Sequence, residues 1–330
     1  MTVKPGVVLE STSILLENGL ISKIGANISA PDGAQVIEAR GLNVYPGLIH
    51  GYLRATTTEP KDSNAPEQPT RQLSSDEQAA ERMRARDKDP FGLENNLQSH
   101  KLMSAISGQK IDPFASLASH GYSYAHFTST GGILGARSAT FNLSNGNAES
   151  ATIRANTQFI PVNLGARSFG SYPGSTMGTI AVIRQALADA QWCIASPDAE
   201  KIAGERVAAL KGLFNGKARL VFDDLNEVSF YQAYKIAEEF KLKPLYVFRS
   251  DAARVAHLVK NQGSDIILRG TIPSKPSIGG DLSQASINNV RSYFNELQAG
   301  AELAKAGVKF GYAPSSTNNP LEGIRLYCRA

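Results

Sequence analysis

From residue 219 to residue 312 the chain repeats one unit, a short apolar run followed by a longer stretch with apolar residues at helical spacing. Strands are expected at 219–223, 245–248, 265–268 and 308–312, and helices at 227–240, 252–260 and 287–306. Strands separated by helices cannot pair as tight hairpins, so this rhythm predicts a parallel sheet covered by helices. The pattern begins near Asp112, with a helix at 114–121 that stops at Gly121 and a strand at 122–127. Met177, Ile180, Ile183, Leu187 and Ala190 form the apolar stripe of a helix capped by Ser175 or Thr176. A second helix at 200–214 stops at Asn215-Gly216. In helix 227–240, Val228, Tyr231, Tyr234 and Ala237 are expected to share a face. The runs at 151–154 and 158–164 read as strands added to the rim.

The first 45 residues follow a different rule. Short apolar runs at 7–9, 14–16 and 36–37 are separated by turn residues, and Asn18-Gly19 is a strong hairpin signal. Three or four such strands need a partner face to be stable. Between the two regions lies Gly41-Leu-Asn-Val-Tyr-Pro-Gly-Leu-Ile-His-Gly-Tyr-Leu-Arg54. Val44 and Tyr45 start a run, Pro46-Gly47 bends it, and Leu48 and Ile49 are expected to carry it inward to a tip at Tyr52 and Arg54. Residues 55–112 are polar and irregular. They are expected to form a surface insert, with a capping-box helix at 74–84.

The frame Pro46-Gly47-Leu48-Ile49 resembles the first barrel strand of the amidohydrolase superfamily, whose motif is Pro-Gly-(Leu/Phe)-Ile-Asp-x-His-x-His. The runs 121–192 and 234–242 are similar to a divergent, imidazolonepropionase-like bacterial branch in which metal ligands are commonly degenerate. The resemblance implies a TIM-type (β/α)8 barrel over 46–330, incomplete at its C-terminus. A partial β-sandwich subdomain over 1–45 would precede it, and the chain would be a fragment of a longer protein. It also implies zinc or another divalent metal, yet His50 stands at the motif's Asp and Tyr52 and Arg54 stand at its two histidines. The strands around 220–224 and 246–249, which match the family's other ligand strands, contain no histidine. Pro314 falls about where the last-strand Asp belongs. No metal ligands and no cofactor are therefore expected.

The remaining candidates are read from their chemistry. Arg54 cannot lose its proton to ligate a metal, and its charge would repel one. Asp223 and Asp224 end a strand, where one could act as a general base or pair with Arg54 or Arg249 across the mouth. The competing use is an N-cap on the following helix, from Asp224 or Asn226. His126 is the other histidine expected near the mouth, and Met177 is expected in the core. Catalytic candidates are thus Asp223, Asp224 and His126, and binding candidates are Tyr52, Arg54 and Arg249. Gly131, Gly132 and Gly135 follow a strand, but without a Gly-Lys-Ser/Thr ending they read as a tight loop into a hairpin.

A formal charge of +4 comes from scattered Lys and Arg, which argues against a nucleic-acid partner. Two cysteines, Cys193 and Cys328, are too few for a disulfide framework or a thiolate zinc cluster. The sequence lacks a signal peptide and an apolar run long enough to cross a membrane, so a cytoplasmic location is expected. A periplasmic or secreted one would follow if the native N-terminus were missing. Three readings remain: a hydrolase-like domain that has lost its metal site, an active hydrolase of non-peptide C–N bonds, and a small-anion-binding module. A small molecule at the barrel mouth, and a partner domain or missing segment that completes the chain, are the expected partners.

Overall fold

The computed structural model describes residues 2–4, 7–55, 113–129, 133–135, 138–143, 152–154, 158–165, 173–196, 198–270, 286–314 and 321. The expected insert beyond Ala55, its helix at 74–84, Gly131, Gly132 and residues 322–330 lie outside them. The chain divides into two compact units, residues 1–48 and 49–330.

In the first unit β1 (Thr2–Lys4) pairs antiparallel with β2 (Val7–Val8), and β3 (Ser13–Glu17) with β4 (Leu20–Gly25). The β3–β4 turn is Asn18-Gly19, with φ of 52° and 77°. Two successive left-handed residues are what a type I′ hairpin turn requires, and Asn and Gly adopt them at least cost. Val36 and Ile37, expected as a strand, are instead exposed and outside any ladder.

The second unit opens with β5 (Leu48–Ala55). Leu48 and Ile49 are exposed, contrary to the expected inward course, and burial starts at His50. α1 (Pro113–Ser119) leads through Gly121, at φ 86°, to β6 (Tyr122–Ser129). β7 (Ala139–Asn142) and β8 (Thr152–Arg154) continue as antiparallel neighbours, giving the sheet order β5-β6-β7-β8. The link from β6 to β7 is too short for a crossover helix, so β7 returns antiparallel.

β9 (Gln158–Val162), β10 (Ala218–Leu225), β11 (Leu245–Phe248), β12 (Asp265–Gly270) and β13 (Phe310–Pro314) form an all-parallel sheet in sequence order. β9 is therefore a sheet member rather than a rim addition. α2 (Thr176–Ala195), α3 (Ala199–Ala208), α4 (Glu227–Glu239), α5 (Ala256–Gln262) and α6 (Ile287–Ala306) lie between these strands. Ser175 caps α2 by accepting from Gly178 N, and Asn226 caps α4 in a reciprocal box with Ser229. α3 bends at Gly204 and passes into a 3₁₀ turn at Ala209–Leu213.

Alternation gives the parallel sheet two different faces. Leu220, Phe222, Tyr246, Phe248, Ile266 and Leu268 face the helices in the main core. Phe230 of α4 lies within it, 5.0 Å from the Tyr246 ring and 5.6 Å from Phe248. Fully burying one such ring stabilises by about 1.5–3 kcal/mol. The core face of α4 is Phe230, Ala233, Ile236 and Ala237, whereas Val228 and Tyr231 are exposed. Met177 is also exposed, not core. The opposite sheet face, Val221, Leu245, Val247, Ile267 and Ala313, packs against Tyr52 of β5.

The two sheets meet at both ends. Residues 133–135 and Ser138 lie beside β9 through Gly135 N to Pro161 O (2.8 Å), Ser138 N to Phe159 O (3.1 Å) and Asn163 N to Ile133 O (2.9 Å). The same run then becomes β7 beside β6. At the other end, His50 Nε2 of β5 donates to Pro314 O of β13 at 3.1 Å. Among the described residues the strands do not form the closed eight-stranded parallel ladder that was expected. They form a five-stranded parallel sheet and a four-stranded sheet joined by these bonds. No helix among the described residues is long and apolar enough to cross a membrane.

Candidate functional site

The inner face carries a charged layer at its C-terminal edge. Val221 and Asp223 share a face of β10, Ile267 and Arg269 a face of β12, and Tyr52 and Arg54 a face of β5. Arg249 directly follows β11. Parallel strands in sequence order bring these tips together, as they do wherever such sheets hold their sites.

The charges pair with one another. Arg54 Nε lies 3.1 Å from Asp223 Oδ2. Asp223 Oδ1 accepts the Asp224 backbone N–H at 2.7 Å. Asp224 turns outward with φ 58°, and its Oδ1 accepts from Arg269 Nη1 at 3.2 Å. Arg249 Nη1 stands 3.9 Å from Asp224 Oδ2. Each carboxylate oxygen of the two aspartates thus faces an N–H or a guanidinium. The expected pairing of Asp223 or Asp224 with Arg54 and Arg249 is present. Asn226, rather than Asp224, supplies the helix cap.

Burial lifts the Asp223 carboxyl above its ordinary pKa, against the pull of Arg54, Arg269, the Asp224 N–H and the Tyr52 hydroxyl. Tyr52 is buried, and its hydroxyl faces Asp223 without the geometry of a hydrogen bond. Burial first, and then the Asp223 charge, push its pKa well up. On the outer side Glu296 is raised by burial and by Asp251, with Arg249 opposing. Arg249 therefore acts on both Asp224 and Glu296.

His126 lies apart from this cluster. Its Nδ1 is 2.8 Å from Thr140 Oγ1, and its ring meets Phe159 edge-on at 5.0 Å. Phe159 packs on the inner-face cluster that contains Tyr52, so His126 faces the same interior. Burial lowers its pKa to about 4. Burial lowers His50 to about 4 as well, although its bond to Pro314 O favours the charged form. A carbonyl only accepts, so the His50 proton sits on Nε2, and Nδ1 keeps a bare lone pair with no partner.

A divalent metal does not fit this donor set. Arg54 places a fixed positive charge against the most buried carboxylate of the layer. Among the described residues no three of His, Cys, Asp and Glu come together to hold an ion. Two residues of the inner face escaped the sequence reading. Arg269 and Thr128 lay just past strand ends set at 268 and 127, and one more residue on each strand would have found them.

No family model matches the chain. Among solved structures it is similar to an amidohydrolase from Thermotoga maritima MSB8, with a TM-score of 0.64 at 15% identity, over 95% of this chain and 78% of that one. It is also similar to an uncharacterized protein, with a TM-score of 0.50 at 12% identity, over 98% of this chain and 80% of that one. At such identities the likeness shows the fold alone. Among curated proteins, 55 residues are 47% identical to a dihydroorotase of Geobacter sulfurreducens and 38% identical to one of Pelobacter propionicus. These matches cover 16% of this chain and 13% of each dihydroorotase. The fold is amidohydrolase-like.

Proposed function

We propose that this chain is an amidohydrolase-like domain in which an arginine–carboxylate layer replaces metal-dependent hydrolysis, and that the layer binds a small carboxylate. One observation carries the reading: Arg54 and Arg269, with side-chain exposures of 35% and 21%, stand at the same edge, and among the described residues each spends one nitrogen on the aspartates. A guanidinium offers five N–H donors in a planar fork that matches a carboxylate. The other donors of Arg54 and Arg269 have no partner among the described residues and are free there to meet an oxyanion, while Arg249 faces Asp224 and acts on Glu296. Asp223 is already paired with Arg54, although burial raises its pKa.

Calorimetric titration of acetate into chelator-treated protein tests this. The expected result is metal-independent binding that weakens at least tenfold in Arg269→Gln. Absence of binding, or binding indifferent to Arg269, contradicts it. The local likeness to dihydroorotases favours a second reading, an active hydrolase of a cyclic amide that draws on Asp223, Asp224 and His126. Zinc-dependent turnover of dihydroorotate would establish that reading and displace the first.

A further inference from the structure

On β6, the strand beside the one that carries Arg54, two buried polar atoms have no partner among the described residues: His126 Nε2 and Thr128 Oγ1. His126 is 5% exposed and Thr128 is fully buried. A buried hydroxyl or imidazole left without a hydrogen bond costs about 1–3 kcal/mol, so two on one strand need a reason. They stand two residues apart, hence on the same face of β6, and the contact of His126 with Phe159 turns that face toward the interior shared with Tyr52 and Arg54. β6 neighbours β5 in the sheet, so this face adjoins the strand that carries Arg54.

Positions i and i+2 of a strand are about 6.6 Å apart along the chain. Two hydrogen bonds of about 2.8 Å to one shared atom span up to about 5.6 Å, and small side-chain rotations cover the difference. One group that both donates and accepts can therefore satisfy both atoms. A hydroxyl is the simplest such group, because it donates to one partner and accepts from the other whichever His126 tautomer the Thr140 bond selects.

We propose that His126 and Thr128 form a hydroxyl-binding subsite, and that the ligand of this domain is a small hydroxy acid with its carboxylate on Arg54 and Arg269. This inference rests on the carboxylate-binding reading above and adds the neutral end of the ligand. The subsite selects among carboxylates; the arginines hold them.

The test compares acids of matched length by calorimetry: acetate with glycolate, propionate with 3-hydroxypropionate, and butyrate with 4-hydroxybutyrate. At one chain length the hydroxy acid is expected to bind at least tenfold more tightly. Thr128→Val, which keeps the shape and removes the hydroxyl, should erase that preference and leave the affinity for the plain acid unchanged. The same variant should unfold at a higher temperature without ligand, because it removes an unpaired buried hydroxyl. His126→Phe, which keeps a ring against Phe159, should also lose the preference. Plain acids that bind as well as hydroxy acids at every length overturn the subsite and leave the carboxylate reading standing. A preference that survives in Thr128→Val, or a lower unfolding temperature in that variant, also overturns the subsite. If no acid binds at all, the carboxylate reading fails and the subsite fails with it.

Discussion

The two edges of the parallel sheet use arginine in opposite ways. At the N-terminal edge Arg219 spends all three of its side-chain nitrogens: Nε on Lys243 O at 3.0 Å, Nη2 on Pro244 O at 3.1 Å and Nη1 on Asp265 Oδ2 at 2.8 Å. At the C-terminal edge Arg54 and Arg269 spend one nitrogen each among the described residues, Arg54 on the largely buried side chain of Asp223 and Arg269 on the exposed one of Asp224. The first arrangement ties strand starts together and engages every side-chain nitrogen, with three of the five N–H donors in use. The second sets its arginines where the strands converge, which is what the proposed carboxylate site needs.

Acid provides the largest test. Burial holds His50 and His126 neutral down to about pH 4, whereas in the unfolded chain they take up protons below about pH 6.5. The unfolded state then binds more protons than the folded one, so stability is complete above pH 6.5, falls as pH drops toward 4, and levels off below that. Each group contributes at most about 3 kcal/mol to the loss. Both sit on β5 and β6 and neither on the parallel sheet, so the loss should track these two strands. Urea midpoints measured from pH 7.5 to 4 should fall in the native protein and fall less in His50→Gln. An equal loss in the variant would remove His50 from the account.

Arg219→Ala should cost about 2 kcal/mol, because two carbonyls and Asp265 lose a charged donor together. Acetate affinity should not change, and a fall in that affinity would blur the distinction between the edges. Arg269→Ala should do the reverse. Its pairing with Asp224, whose side chain is 44% exposed, is worth less than about 1 kcal/mol, yet acetate binding should be lost. A stability cost as large as that of Arg219 would make the C-terminal edge a structural clamp instead. Met177→Gln sets the floor. Its side chain is exposed on α2, so the unfolding midpoint should move by less than about 0.5 kcal/mol.

The sequence made the two edges unequally legible. Helix–strand alternation found the parallel sheet because apolar spacing is local, and Asn18-Gly19 marked its hairpin because that turn depends on its own two residues. A hairpin after the glycine loop was expected, and β7 does pair antiparallel, but the sheet role of β9 was missed, since pairing partners far apart in sequence decide it. Met177, Val228 and Tyr231 follow helical spacing, but a stripe does not say which of its members the sheet covers. At the site, Asp223, Arg54 and Arg249 stood out as charges at strand ends. Arg269 and Thr128 did not, because strand ends cannot be set to within two residues from apolar runs alone. His50 was noted only as preceding a tip; its role at the meeting of two sheets depends on Pro314, far along the chain.

Elemental analysis of the purified protein, after incubation with zinc, manganese and iron and then dialysis, is the most direct test of the arginine–carboxylate layer. The account predicts well under one metal per chain in each case, because Arg54 already compensates Asp223. One tightly held metal per chain, resistant to chelator, would contradict it and return the domain to metal-dependent chemistry.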